Sequence, residues 1–212
     1  MHATAMLGAA LSLAALPALA QTVALDIAQV NGARINCLFS KQCALQDENH
    51  RADQSSAIPI PISGIQRKAI LTSRTFVGGN GSPAAGLHAY QYRVEMKDAV
   101  ASGDPICITD ISVDFGQVTK LNYDRDVTRE DVYVISRDEP ANFIGLTSAQ
   151  QNGEVITFTF AQPVCSGTGN QDGGVSAFFG LASRNIPRKT NVQVSVGGLE
   201  NVVAEAITPR HR

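Results

Sequence analysis

Short runs of apolar and β-branched residues, separated by clusters of Gly, Pro, Asn and Asp, recur along most of this chain. The clearest run alternates strictly, with Tyr90 and Tyr92 on one face and Gln91 and Arg93 on the other. This is the pattern of a strand with one buried and one hydrated face. About eight to ten such runs, spaced roughly 8 to 15 residues apart, predict an all-β fold, an antiparallel β-sandwich of Greek-key, immunoglobulin-like type. A closed β-barrel remains the alternative, because periodicity alone does not separate the two.

Residues 154–183 are predicted to form the centre of the sandwich. They hold two apolar runs, one with Phe158 and Phe160 and the other with Phe179, and between the runs lie Cys165 and a glycine-rich loop. The loop has the composition of a phosphate cradle, but such cradles lead into a helix, whereas this loop leads into a strand-like run. We therefore expect the phenylalanines to be core residues and the loop to be a flexible connection.

One strand-like run changes parity part-way along. Ile108 follows one phase of the alternation, and Ile111 follows the other. An extra residue in a strand moves every later side chain to the opposite face. The sequence therefore predicts a β-bulge near Thr109 and Asp110, which returns the apolar side chains to one face.

The N-terminal residues differ in composition from the rest of the chain. Residues 6–20 are apolar and uncharged, and they end in Ala18-Leu19-Ala20, a small-x-small cleavage pattern. This predicts a secretory signal peptide over residues 1–20, with the mature protein in the periplasm or outside the cell. No later apolar run has the roughly 20 residues that a transmembrane helix needs.

The rest of the chain is predicted to have two parts. Residues 21–63 would form an N-terminal strand or hairpin that turns at Asn31-Gly32, a strong hairpin signal, followed by a disulfide loop and a polar linker. The polar residues 47–56 are the linker or an exposed loop. Residues 64–212 would form the β-sandwich domain.

Export also determines how the cysteines are interpreted, because an oxidising compartment favours disulfides over thiols. The four cysteines allow three pairings. We favour Cys37 with Cys43, which are close in sequence, and Cys107 with Cys165, which lie in strand-like contexts. Thiolate metal ligation is the alternative, but no C-x-x-C spacing supports it.

The charge balance limits the kinds of partner. The formal net charge is -2, with acidic and basic residues interspersed. A nucleic-acid or anionic-membrane surface needs a basic patch, so we expect no nucleic-acid partner. The actual ligand or partner, including a cell-surface or protein partner, is left open.

No local motif proposes a catalytic set, and no catalytic residue is assigned. After the predicted leader, the histidines are His50, His88 and His211, in separate contexts. Ser176 lies in a Gly-x-Ser-x-Phe sequence, where a nucleophile elbow needs glycine at the fifth position and a helix after the serine. A hydrolase assembled from residues distant in sequence, with His88 as its base, remains an alternative.

One segment has the spacing of a calcium-binding loop. Oxygen-bearing side chains recur at every second position: Asn122, Asp124, Asp126, Thr128 and Glu130. Such a series is typical of loops that wrap Ca²⁺. However, valine stands where the sharp turn normally has glycine, and two arginines bring positive charge. An exposed connection with balanced charges is the preferred interpretation, calcium binding is the alternative, and no other cofactor is predicted.

Carbohydrate binding is also considered, because it is common among secreted β-sandwiches. It generally requires exposed aromatic platforms. The chain has no Trp and four Tyr. Tyr123 and Tyr133 flank the acidic segment and are the candidates for an exposed glycan-binding surface, whereas Tyr90 and Tyr92 are expected in the core.

Six segments that cover most of the mature chain carry a family resemblance: IPIPISGIQRKAILTSRTF, SPAAGLHAYQYRVEM, DPICITDISVDFG, DVYVISR, VITFTFAQPVCSG and FFGLASR. Together they resemble a group of small secreted bacterial proteins of unknown function, and the contexts of Cys107 and Cys165 are the most specific parts. The resemblance implies secretion and a single domain. It implies no activity, site residue or cofactor.

The sequence therefore predicts a non-catalytic, exported β-sandwich with a binding, structural or surface-interaction role. A calcium- or glycan-binding module is the first alternative, and the hydrolase is the second.

Overall fold

The computed structural model describes residues 21–45, 52–60, 68–136, 143–169, 171–197, 199 and 201–210. The predicted signal peptide lies outside the described residues. The described part of the chain forms strands and one helix: β1 (Thr22–Ala24), β2 (Ile27–Val30), α1 (Gly32–Phe39), β3 (Ala52–Ile58), β4 (Ala69–Val77), β5 (His88–Glu95), β6 (Val100–Ala101), β7 (Cys107–Asp114), β8 (Val132–Ile135), β9 (Phe143–Ile144), β10 (Leu146–Asn152), β11 (Val155–Cys165), β12 (Gly167–Thr168), β13 (Val175–Ser176), β14 (Phe178–Ser183), β15 (Pro187–Val196) and β16 (Val202–Pro209). Within this part, no helix has both the length and the apolar character needed to cross a membrane.

Most of these strands belong to two sheets. The first has the order β1-β10-β11-β7-β15-β16, and all of its neighbours are antiparallel. The second is centred on β5, which pairs with β4 on one side and with β13 and β14 on the other. β3 extends this sheet beyond β4, and β8 and β2 extend it beyond β14. Among the described residues neither sheet closes on itself, so the predicted β-sandwich is confirmed and the closed barrel is not.

The main core lies between the two sheets. Phe158 of β11 and Phe179 of β14 come from opposite sheets, and their ring centroids are 5.0 Å apart. Tyr92 of β5 packs against both rings, at 6.2 and 6.1 Å. All three side chains are buried. Residues 154–183 therefore contribute to both sheets, and the prediction that they form the structural centre is confirmed.

The predicted bulge in β7 is present. Asp110 and Ile108 face consecutive residues of β15, so Thr109 has no partner in that ladder. Ile108 and Ile111 are both completely buried, although they are three positions apart. The bulge therefore aligns the two halves of β7 on the core, as the change of parity predicts.

A second apolar cluster covers the outer face of the second sheet near α1. Phe39 of α1 packs edge-on against Phe76 of β4, at 5.1 Å between ring centroids, and Tyr133 of β8 belongs to the same cluster. Gln91, on the predicted hydrated face of β5, is only 6% exposed. The prediction of a hydrated outer face is therefore wrong for this part of the sheet, because the helix and the residues that follow β4 cover it.

Asn31 begins α1 and does not turn a hairpin, so the predicted hairpin is wrong. Its backbone is extended, and its side chain accepts a hydrogen bond from the Arg34 N–H at 2.7 Å. Asparagine serves both in tight turns and as a helix N-cap. The helix N-cap is favoured over the tight turn because the helix buries three apolar residues on one face, Ile35, Leu38 and Phe39.

Part of the predicted polar linker is a strand. β3 pairs with β4 along its whole length, from Ala52 opposite Thr75 to Ile58 opposite Ala69. Most of its side chains are exposed or half-buried. Polar composition is common in edge strands, where it discourages pairing with other chains, so composition alone does not identify this segment as a loop.

Both predicted disulfides are present. Cys37 is bonded to Cys43, six residues away, and Cys107 is bonded to Cys165, 58 residues away. Cys107 and Cys165 are direct partners in the β7–β11 ladder. The second disulfide therefore joins two neighbouring strands of the first sheet.

The glycine-rich loop after Cys165 is packed against the end of β5. The Gly173 N–H donates to the Lys97 carbonyl at 3.1 Å, and a Cβ at Gly173 would lie 2.1 Å from the Met96 carbonyl oxygen. Glycine is therefore required by close approach of two backbone segments. The expectation of a flexible connection misses this requirement.

Candidate functional site

The connection between β7 and β8, residues 115–131, has a base that is fixed by two buried carboxylates. Glu130 and Asp131 are 6% and 5% exposed. The Glu130 carboxylate accepts a hydrogen bond from the Tyr123 N–H at 3.0 Å, and the Asp131 carboxylate accepts one from the Asp26 N–H at 3.0 Å. Buried carboxylates are tolerated when they are bonded in this way. The base of the connection is therefore held against the body of the sandwich.

Lys120 adds an ion-pair network at the same base. Its ammonium lies 2.8 Å from the Asp26 carboxylate and 3.0 Å from the Asp131 carboxylate. Hydrogen bonds to Asp26 and to Asp131 raise the pKa of Lys120. The network keeps this lysine charged and joins the connection to the residues before β2.

The tip of the connection is exposed and held by local hydrogen bonds. Asp124 accepts from the Asp126 N–H at 3.1 Å, and Asp126 accepts from the Thr128 hydroxyl at 2.7 Å and from its N–H at 2.6 Å. The bonds from Thr128 lower the pKa of Asp126. Val127 is completely exposed. Each of these oxygens thus bonds to the backbone two residues ahead, as in Asx turns, which gives the two-residue spacing a structural explanation.

Three of the five predicted calcium ligands converge at this tip. Carboxylate oxygens of Asp124, Asp126 and Glu130 all lie within 4.8 Å of one another. The Thr128 hydroxyl lies between two of them, 2.7 Å from Asp126 and 2.6 Å from Glu130. Asn122 is directed elsewhere, since its side chain accepts from the Arg125 N–H at 2.7 Å and donates to the Asp126 carbonyl. The donor set suits a hard cation, but each of the three carboxylates already accepts at least one hydrogen bond.

The other side of the same connection lines a cleft of about 370 Å³, here called the basic cleft. Its walls come from α1, from residues 83–87 and from residues 119–122, and its cationic residues are Arg34, Lys120, Arg129 and Arg184. The Arg34 guanidinium donates to the carbonyls of Tyr123 and Asn122, both at 2.8 Å. Burial lowers the pKa of Arg34, and the nearby Arg125 lowers it further. The cleft therefore has a fixed guanidinium at its side.

The tyrosines proposed for a glycan-binding surface are buried. Tyr123 and Tyr133 are both 0% exposed, and their ring centroids are 4.8 Å apart. Burial raises the pKa of both phenols. The prediction of an exposed aromatic platform is wrong, because Tyr123 of the connection and Tyr133 of β8 both lie in the apolar cluster beneath α1.

The residues considered for hydrolysis are not brought together. The Ser176 hydroxyl is buried; it accepts from the Val94 N–H at 2.9 Å and donates to the Ala177 carbonyl at 3.0 Å. The His88 ring contacts the Tyr90 ring at 6.4 Å, and no carboxylate of a described residue hydrogen bonds to it. Burial lowers the pKa of His88. His50 and His211 lie outside the described residues.

The basic cleft is the feature that the sequence does not indicate. Arg34 belongs to α1, Arg129 to the β7–β8 connection and Arg184 to the residue after β14. These positions are far apart in the chain and share no motif, so only the fold brings them together. Isolated arginines of this kind are indistinguishable from ordinary surface residues in a single sequence.

No family model, curated protein or solved structure matches this chain. The structural indications of function are therefore the acidic tip and the basic cleft, which lie on the two sides of the β7–β8 connection.

Proposed function

We propose that this protein is a non-catalytic, exported β-sandwich that acts by binding a ligand at the β7–β8 connection, residues 115–131. The observation that carries the proposal is the combination of a base fixed by buried Glu130 and Asp131 with an exposed, charged tip. Ligand-binding residues are commonly carried by loops that a rigid scaffold holds in place. The β7–β8 connection has a base held by the scaffold and an exposed, charged tip, and the basic cleft lies beside it.

Export is supported by two independent features. Structural disulfides persist in oxidising compartments, and the pairs Cys37–Cys43 and Cys107–Cys165 are both bonded. The N-terminal sequence has the pattern of a cleavable signal peptide.

The binding role can be tested with protein isolated under non-denaturing conditions from its own envelope fraction. We expect native mass spectrometry to show a bound species of fixed stoichiometry, which is lost when residues 124–129 are replaced by a Gly-Ser segment of equal length. A Gly-Ser replacement of the four exposed residues 102–105, which precede β7 at the other end of the sandwich, should retain it. Retention by the first variant, or release of a chemically converted product, would contradict the proposal.

Calcium binding at the tip is a second candidate function. It is favoured by one specific observation, the convergence of three carboxylates within 4.8 Å. A bound Ca²⁺ takes six to eight oxygen ligands, so backbone carbonyls and water would have to complete the shell. The Thr128 hydroxyl would also have to turn its hydrogen away from the ion.

We expect millimolar Ca²⁺ to raise the melting temperature if the tip binds this ion, because a ligand that binds only the folded state stabilises it. Asp124→Asn/Asp126→Asn should abolish the increase, since both carboxylates supply ligand oxygens. Asp104→Asn/Asp172→Asn removes the same charge from exposed positions outside the cluster and should leave the increase intact. No shift in the wild-type protein at millimolar Ca²⁺, measured by differential scanning calorimetry, would exclude this candidate.

A further inference from the structure

The basic cleft carries positive charge that its own residues do not neutralise. Lys120 is paired with carboxylates, whereas Arg34 donates to backbone carbonyls, which bear no net charge. Asp124 interacts favourably with Arg34, but the repulsion from Arg125 is larger. Arg129 and Arg184 are exposed, and neither forms an ion pair with another described residue. None of the described residues that line the cleft is acidic. Three guanidinium groups therefore border one cleft without a carboxylate in its lining.

Part of the cleft lining is apolar. Leu38 and Leu87 are buried, and Leu121 is half-buried. The volume of about 370 Å³ falls within the range of small-molecule sites, roughly 300 to 1,000 Å³. A guanidinium group pairs with carboxylate or phosphate through parallel N–H donors. Arginines beside an apolar wall are therefore complementary to an oxyanion attached to an apolar body.

We propose that the basic cleft binds a small organic anion, with its carboxylate or phosphate group held by Arg34, Arg129 and Arg184 and its apolar part against Leu38 and Leu87. This inference rests on the proposed binding function and specifies its ligand class. Arg34 is already fixed by its bonds to the connection, so less side-chain entropy is lost when the anion binds. Arg129 and Arg184 approach the cleft from two other segments of the chain.

Isothermal titration calorimetry with octanoate and with octyl phosphate tests the inference on the full mature protein. We expect both anions to bind. Octanol, which has the same apolar body without the charge, should bind at least about 10-fold more weakly. Affinity should fall as salt is added, because salt screens exposed charges. Inorganic phosphate, which lacks the apolar body, should also bind more weakly than octyl phosphate.

The decisive variant is Arg129→Gln/Arg184→Gln, which removes two exposed charges and leaves Arg34 in place. We expect its affinity for octyl phosphate to fall at least about 10-fold. Lys68→Gln/Lys97→Gln removes the same net charge from exposed residues that do not line the cleft and should bind like the wild-type protein. Circular dichroism and melting temperatures check that both variants fold.

Equal binding of octanol and octanoate, or unchanged binding by the arginine variant, would overturn the inference. Co-sedimentation with phosphatidylglycerol vesicles separates the sources of the anion. Vesicle binding that the arginine variant loses supports a lipid headgroup. No vesicle binding by a protein that binds octyl phosphate supports a free acid. If neither anion binds while the envelope-derived protein still carries a species that depends on residues 124–129, the anion inference fails and the binding function stands. If no such species is found either, both fail.

Discussion

The protein is expected to lose stability steeply above about pH 10, where tyrosine ionises in an unfolded chain. All four tyrosines are completely buried, and burial raises the pKa of each phenol. Two of the hydroxyls donate to backbone carbonyls, Tyr90 to Asn185 at 2.7 Å and Tyr92 to Ile207 at 3.0 Å. A phenolate cannot donate these bonds, so the folded state favours the protonated form.

The direction of this pH effect follows from the number of protons that the folded and the unfolded protein bind. Above pH 10 the unfolded chain releases its phenolic protons, whereas the folded protein retains them because its phenol pKa values are higher. The stabilisation is therefore complete below pH 10 and is lost as the pH rises. Each tyrosine contributes a slope of about 1.4 kcal/mol per pH unit, so four give up to about 5 kcal/mol per unit.

Urea unfolding curves at several pH values between 9 and 11.5 measure this slope, and absorbance of tyrosinate near 295 nm reports ionisation. We expect tyrosinate to appear together with the loss of sheet structure in circular dichroism. Tyr133→Phe should reduce the slope by about one quarter, since one of four titrating groups is removed. Graded ionisation of all four tyrosines near pH 10 in a folded protein would contradict the buried arrangement.

Removal of the Cys107–Cys165 disulfide should cost more stability than removal of the Cys37–Cys43 disulfide. The first closes a sequence separation of 58 residues and the second a separation of six. In the chain-entropy model, a crosslink restricts the unfolded chain more when the loop is longer. The expected losses are about 4 kcal/mol for Cys107→Ala/Cys165→Ala and about 2 kcal/mol for Cys37→Ala/Cys43→Ala.

The two double variants serve as each other's controls, because each replaces two disulfide-bonded cysteines by alanine; Cys43 is exposed and the other three cysteines are half-buried. Free energies of unfolding from urea titration at neutral pH give the comparison. A larger loss for the Cys37–Cys43 variant would show that local support of α1 outweighs the entropy of the longer loop. The four-cysteine variant should lose close to the sum if the two sites are independent.

The sheet architecture could be predicted because it depends on local patterns. Alternation identifies most long strands, the change of parity between Ile108 and Ile111 identifies the bulge, and the aromatic residues of 154–183 identify the core. The disulfide pairing was favoured among three possibilities from closeness in sequence and from strand-like contexts, and in the structure Cys107 and Cys165 are ladder partners. Residues close together in the sequence determine these features.

Features that depend on tertiary packing could not be predicted in the same way. Asn31 fits both a hairpin turn and a helix cap, and the choice depends on the apolar cluster that α1 covers. Tyr123 and Tyr133 flank a charged segment in sequence but are buried, because Tyr123 of the connection packs beside Tyr133 of β8 in the cluster beneath α1. The basic cleft combines arginines from three separate segments. In each case, the deciding contacts join residues that are distant in the chain.

The acidic segment was predictable in part. Its spacing at every second residue gave calcium binding as the alternative to an exposed connection, and in the structure Asp124, Asp126 and Glu130 do converge. The same spacing also satisfies the backbone donors of a tight connection, as the bonds to Asp126 and Thr128 show. The spacing therefore identified the segment, and the Ca²⁺ titration decides between a metal site and turns closed by backbone hydrogen bonds.

Binding at the β7–β8 connection is tested most directly by hydrogen exchange, measured by mass spectrometry. Envelope-derived protein is compared before and after its bound species is removed. We predict slower exchange in the bound protein within residues 31–40 and 115–131, where α1 and the connection border the basic cleft. Unchanged exchange in these segments, with slowing confined to residues 96–106 and 166–174 at the other end of the sandwich, would contradict the account.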